Sequence, residues 1–305
     1  MTLQSAKQTQ SATDQQAILR PTPRQQMIVR IKMHYSLQIG ASILIAMILM
    51  AIFASFLVPH DPYAQDLSNR LVDPIWGSTG TWDHPLGTDS LGRDYLSRLI
   101  YGSRIALMIG FSAMLISGVI GTILGVAAGY FGGRVDAVIS FIILNRLSLP
   151  VTLVALAVVS VVGSSLEVVV VVLGLLIWDR FAVVLRSATL QVRNMEYVAA
   201  AEVLGASFPR IIFKDILPNI SNHLIVVATL EMAHAILLEA ALSFLGMGVQ
   251  PPLPSWGLMV SEARDFMFFK PWMITVPGVA LFLLVLAINL LGDGIRDVTT
   301  PEGRN

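Results

Sequence analysis

The chain has 305 residues, 55% of them hydrophobic and only 13% charged, with a mean hydropathy of +0.72. A soluble domain carries about 25% charged residues, so the composition describes an integral membrane protein and excludes a soluble domain. The formal net charge is zero, which gives no ground for a nucleic-acid partner, and there is no cysteine, which excludes disulfides, thiolate metal sites and cysteine nucleophiles.

Residues 1–34 read as a disordered cytoplasmic tail, rich in Gln, Ser and Thr and without the apolar core of a signal peptide. Residues 35–103 read as a first transmembrane helix, roughly Leu37–Val58, followed by an extracytoplasmic loop carrying Trp76 and Trp82. A bilayer core takes about 20 apolar residues, which that run supplies. Late in the loop, Thr88 is placed to cap a short surface helix ending near Tyr101. Residues 104–295 hold five further apolar runs, near Arg104–Gly129, Asp136–Val162, Leu166–Leu185, Asn222–Leu245 and Met273–Leu291. The first of these is rich in Gly and Ser, which allow helix backbones to approach closely. The second carries Asn145, Arg146 and Pro150. Residues 296–305 read as a second cytoplasmic tail. The expected fold is all-α, with six transmembrane helices.

Lys and Arg concentrate on the cytoplasmic side of membrane proteins. With the N-terminus inside, 12 of them fall in cytoplasmic segments and 5 on the opposite side. This bias favours an N-in/C-in arrangement and places the polar stretch 194–219 in the cytoplasm, between spans four and five. That stretch predicts a helix-turn-helix. Asn194 can cap the first helix, with Glu196 in its first turn. Gly205 suits the left-handed position after that helix. Ser207 can cap the second helix, whose first turn tolerates Pro209, and Pro218 is placed to end it.

No G-x-x-x-x-G-K-[ST] phosphate loop, H-E-x-x-H pair or G-x-S-x-G elbow is present. The five histidines (His34, His60, His84, His223 and His234) do not cluster at metal-ligand spacing. The chain is therefore expected to be neither an enzyme by itself nor a metal protein. Ionisable residues within spans are costly and mark function by default. Span five carries Glu231, His234 and Glu239, which fall in one broad helical sector, Glu239 about 80° round from Glu231. They read either as a polar strip along a solute path or as interhelical hydrogen bonds. Arg146 joins them as a candidate, free on sequence grounds to pair with Glu231 or Asp179.

Three motifs together resemble one family, the inner-membrane permease subunits of ATP-binding-cassette importers for dipeptides and oligopeptides. The first is His84-Pro85-Leu86-Gly87-Thr88-Asp89-Ser90-Leu91-Gly92-Arg93-Asp94, continuing to Tyr101-Gly102-Ser103-Arg104. The second is the cytoplasmic stretch with Ala200-Ala201, Leu204-Gly205-Ala206-Ser207 and Leu217-Pro218-Asn219, which is similar to that superfamily's "EAA" loop. The third is Ala241–Pro252 with Pro254-Ser255-Trp256-Gly257. The two outer motifs resemble the peptide/nickel branch and its C-type subunit. Ala199 stands where the loop often has Glu, and Ser140, Phe141 and Leu144 stand where span three usually shows a Met-Arg pair and an Asp.

The resemblance implies a type I importer permease fold in the bacterial inner membrane. It also implies a second, homologous permease subunit, two ATPase subunits holding ATP and Mg, and an extracytoplasmic solute-binding protein, with no cofactor bound by this chain. The loop residues Glu196, Ala200, Ala201, Glu202, Gly205, Ala206, Ser207, Phe208, Arg210 and Pro218 would then couple to an ATPase. Phe208 and Ile211–Phe213 would be apolar anchors, and Trp76, Trp82 and Trp256 would be candidate contacts to the binding protein. Solutes other than peptides (nickel, an opine, glutathione) remain open, as does a proton-coupled secondary transporter built on Glu231, His234 and Glu239.

Overall fold

The computed structural model describes residues 29, 31 and 33–299, so most of the tail expected over 1–34, and residues 300–305 of the tail expected over 296–305, lie outside the described residues. The described chain is helical: α1 Tyr35–Ile52, α2 Tyr95–Phe131, α3 Gly133–Leu147, α4 Val151–Val162, α5 Leu166–Leu176, α6 Asp179–Arg193, α7 Glu196–Val203, α8 Leu217–Phe244, α9 Trp256–Ala263 and α10 Trp272–Thr299. Among the described residues, five helical runs are long and apolar enough to cross a membrane, or six if the bent pair α3–α4 counts as one crossing.

The longest element departs from expectation at its start. Thr88 caps no helix; it forms an isolated antiparallel bridge with Asp94, and its hydroxyl accepts from the Val72 amide. The cap is Asp94, whose carboxylate accepts from the Ser97 amide at 2.7 Å. From there α2 runs 37 residues without interruption, about 55 Å at 1.5 Å per residue. The expected surface helix and second span are one rod, and the boundary expected between 103 and 104 falls inside it.

Close approach organises the packing of this rod. Gly121, Gly125 and Gly129 recur at the four-residue spacing of one helix face and meet α6. A Cβ on Gly121 would stand 2.4 Å from the Trp178 carbonyl oxygen, and one on Gly125 2.7 Å from that of Ala182. α2 also contributes Ile105, Ile109 and Ala113 to a buried cluster with α4, α5 and α8. A second cluster joins it to α8, α9 and α10 through Tyr95, Ala106, Ile236, Trp256 and Leu284.

Two expected spans are broken. The third bends by 82° between α3 and α4. Pro150 stands at the break as N-cap of α4, and the residue before a proline is disfavoured in the helical region. The fourth is interrupted at Ile177 and Trp178, between α5 and α6. α6 then continues to Arg193, past the expected end near Leu185.

The 194–219 stretch also differs. Asn194 is the C-cap of α6, and α7 starts from Met195 without a side-chain cap. α7 ends in the expected glycine turn, with Gly205 at φ +77°. The Ala206 amide donates to the Ala201 carbonyl and the Gly205 amide to that of Glu202, both at 3.0 Å, the paired bonds of a Schellman ending. Pro218 does not end the second helix. A single turn Phe208–Arg210 leads into a π-helical segment Ile211–Ile216 and then directly into α8. Proline lacks a donor and its ring crowds the carbonyl four residues earlier. The widened π turn accommodates both, so the loop and span five form one continuous helix from Phe208 to Phe244.

Candidate functional site

Polar structure gathers in three places along the apolar rods. At mid-chain in α8, Glu231 is fully buried. Its carboxylate accepts from Arg180 of α6 at 3.2 Å and lies 3.1 Å from Nδ1 of His234, one turn on. The Arg180 side chain is 58% exposed, so the ion pair has a buried acid and an open base. The sequence carries no signal of the partnership between Arg180 and Glu231.

Arg146 and Glu239, expected near Glu231, do other work. Arg146 pairs with neither Glu231 nor Asp179. Its guanidinium donates to the Leu176 carbonyl, one of the acceptors left without an intrahelical partner where α5 ends. Glu239 is buried and accepts from Ser243 at 2.7 Å and from Ser255 at 3.1 Å. Ser255 in turn caps α9 by accepting from the Leu258 amide. Glu239 thus fastens α9 to α8, and the expected strip reduces to Glu231, His234 and Arg180.

The second place is the 194–219 stretch. Glu196, Ala200, Glu202, Gly205, Ser207, Phe208, Arg210 and Pro218 are exposed, while Ala201 and Ala206 are half-buried. The expected anchors Ile211 and Ile212 are instead buried in the chain's own core, with Leu185, Val192, Val198 and Ile216. Phe208 stacks on Phe131 at 5.0 Å, and the Tyr130 hydroxyl donates to Glu202 at 3.2 Å, which ties the turn to the end of α2. The expected anchor Phe213 does face outward, 69% exposed, and the most outward apolar groups are Val203 and Leu204, 89% and 86% exposed beside Gly205. Only Leu204 lay within the motif residues, and no periodicity distinguishes either side chain.

The third place lies at the opposite end of α2. Asp89 accepts from the amides of Leu91 and Arg93, from Arg93 Nε at 2.7 Å and from Arg98. Glu262, the penultimate residue of α9, accepts from both arginines at 2.9–3.1 Å. Asp89, Arg93 and Arg98 are all buried, so the first outer motif is a clamp between loop 59–94 and α9. Lys270 holds Asp73 in a second tie, between loop 59–94 and the segment before α10, and that hydrogen bond keeps the Asp73 carboxyl below its ordinary range. Trp76 and Trp82 are 65% and 81% exposed. Trp256 is not available to a partner. It is buried, its indole N–H donates to the Leu99 carbonyl at 2.8 Å, and its ring lies against Gly102, where a Cβ would come within 2.5 Å.

Apolar helices long enough to cross a membrane, an ion pair with a buried acid between two of them and polar structure at both ends define a multi-pass membrane protein. Residues 121–302 match the family described as binding-protein-dependent transport system inner membrane component, and residues 22–74 match the N-terminal transmembrane domain of oligopeptide transport permease C. The chain belongs to the binding-protein-dependent transport system inner membrane components, as a multi-pass permease subunit of an ATP-binding-cassette importer. It is 39% identical to the dipeptide transport system permease protein DppC of Haemophilus influenzae, over 92% of this chain and 95% of that one. It is 40% identical to the di/tripeptide transport system permease protein DppC of Pseudomonas aeruginosa, over 87% and 88%. It is 38% identical to the glutathione transport system permease protein GsiD of Pectobacterium atrosepticum, over 89% and 88%. Among solved structures, an inward-facing MetNI methionine ABC transporter shares the fold, with a TM-score of 0.57 at 20% identity over 67% of this chain and 98% of that one.

Proposed function

We propose that the chain forms one half of a translocation path for di- and oligopeptides, with a second, homologous permease as the other half. It crosses the membrane six times, with α3–α4 as one bent crossing and both termini in the cytoplasm. Two ATPase subunits supply ATP hydrolysis, with ATP and Mg held there and not by this chain, and an extracytoplasmic binding protein delivers the solute. The observation that carries the coupling is the exposure of Val203 and Leu204 at a rigid turn directly before the helix that continues through Phe244. An ATPase groove that takes these two side chains moves α7 as a body. The unbroken helix then passes that displacement to Glu231 and His234. Binding-driven bias of a two-state element needs only such a differential contact. Trp76 and Trp82 are the remaining aromatic candidates for the binding protein.

The Val203→Asp, Leu204→Asp double variant tests the coupling. Both side chains are exposed, so the permease should insert and fold, while co-purification with the ATPase subunits and peptide-stimulated hydrolysis should both be lost. Normal hydrolysis in this variant would refute the reading. A glutathione path is the second reading, favoured by the similarity to GsiD. Uptake of a labelled dipeptide into proteoliposomes holding the whole transporter separates the two. Competition by unlabelled dipeptides but not by glutathione supports the peptide path.

A further inference from the structure

His60, at the end of the first span, and His84, in the first outer motif, are far apart in sequence but meet in space. Their ring centroids are 4.7 Å apart. Asp83 stands between them: its backbone carbonyl accepts from Nε2 of His60 at 2.8 Å, a bond that His60 exchanges for an ion once its ring proton moves to Nδ1, and its carboxylate lies 3.6 Å from that nitrogen and 3.7 Å from Nε2 of His84. One ligand atom from each of the three lies within 4.8 Å of the others. We propose that His60, Asp83 and His84 form a binding site for a borderline divalent transition ion of the zinc class.

The set has the build of a metal site beyond mere proximity. Nδ1 of His84 lies 2.9 Å from the carboxylate of Asp94, which is buried. A carboxylate only accepts, so Nδ1 carries the proton and the lone pair sits on Nε2, which faces Asp83. A carboxylate behind the far nitrogen is the usual support of a ligating histidine, fixing its tautomer and orientation. The three groups border a cavity of about 220 Å³ that Asp61 and Asp66 also line, and their charge raises the local concentration of cations. Two imidazoles and one carboxylate suit zinc and its neighbours, whereas magnesium and calcium prefer oxygen-only shells. Three protein ligands leave a fourth position for water. Asp83 is 73% exposed and can swing to close the donor atoms on an ion at about 2.0–2.2 Å. A bound ion would tie the segment after α1 to the turn that feeds α2, bracing the outer loop from a side that the Asp89 clamp does not reach.

The test is titration of zinc chloride into the assembled transporter in lipid nanodiscs, affinity tags removed, followed by calorimetry, with cobalt as a spectroscopic probe. The wild type should bind one more zinc per copy of this chain than His60→Gln, His84→Gln or Asp83→Asn, and the cobalt absorption bands should vanish in His60→Gln. Asp83 is exposed, so its variant reports on binding without a folding defect. Asp94→Asn keeps the cap of α2, since Asn caps as well as Asp, and should weaken zinc by about 10–100-fold through the misoriented His84. Equal zinc stoichiometry and affinity in the wild type and Asp83→Asn would overturn the proposal. So would magnesium binding as tightly as zinc at this site.

Discussion

The asymmetry of the Arg180–Glu231 pair makes a prediction at the scale of single residues. Glu231 is fully buried and Arg180 more than half exposed. Removing the arginine leaves a buried carboxylate with His234 alone, and an uncompensated buried acid is costly. Removing the charge of the acid leaves an arginine that water can solvate. Arg180→Ala should therefore destabilise the purified permease by about 1–3 kcal/mol more than Glu231→Gln does, read as the larger drop in thermal midpoint. Equal shifts would mean that the pair is solvated from both sides. In transport, Glu231→Gln should change uptake kinetics while ATPase binding stays normal, because the residue lies far along α8 from the exposed turn. At the same scale Glu239 and Arg146, both ionisable residues in apolar runs, hydrogen-bond to neighbouring helix ends and caps.

At the scale of elements, the pairing of α2 with α6 and the continuity of the helix into α8 define how displacement can travel. The glycine stripe lets α2 lie against α6 with carbonyls less than 3 Å from where a Cβ would be. Gly125→Leu would force these backbones apart, and overpacking of this kind costs about 1–3 kcal/mol or more. The expected result is a permease that inserts but loses the α6-borne Arg180 contact, read as a lower thermal midpoint and loss of uptake. Gly133, outside the stripe with nothing within 4 Å of its added Cβ, is the control position, although its positive φ calls for Asn and not Leu there. The π segment Ile211–Ile216 stores no break between turn and span, so Pro218 shapes the helix without dividing it.

For the whole molecule, loop 59–94 is held to the helices by ionic ties while the opposite end of α2 lies against an apolar turn. The Lys270–Asp73 tie carries a pH dependence whose sign follows from the lowered carboxyl. A carboxyl whose folded value lies below its unfolded one contributes stability that is present above the unfolded value and lost as pH falls through the folded one. The thermal midpoint of the wild type should exceed that of Asp73→Asn at pH 6, and the gap should close as the pH drops below the ordinary carboxylate range. A gap that persists at strongly acidic pH would show that the residue acts through packing and not through its charge.

Composition alone determined that the chain lives in a membrane, because 13% charge cannot solvate a soluble surface. Apolar run lengths located five helical runs long enough to cross a membrane and the bent pair α3–α4, and Gly205 was legible because only the left-handed region suits that ending. The long outer motifs made the family legible, and the comparisons bear that out. Periodicity could not reveal where α2 begins, since Thr88 and Asp94 are both good caps and the choice depends on loop 59–94 folding back on them. Nor could it show that Arg180, and not Arg146, meets Glu231, because the 82° bend at Pro150 changes what α3 faces. The burial of Trp256, the outward turn of Val203 and Leu204 and the meeting of His60 with His84 are all contacts between distant segments. Local pattern reports the spacing of residues along one helix or strand. Which faces then meet is a property of packing, and only the tertiary structure decided it.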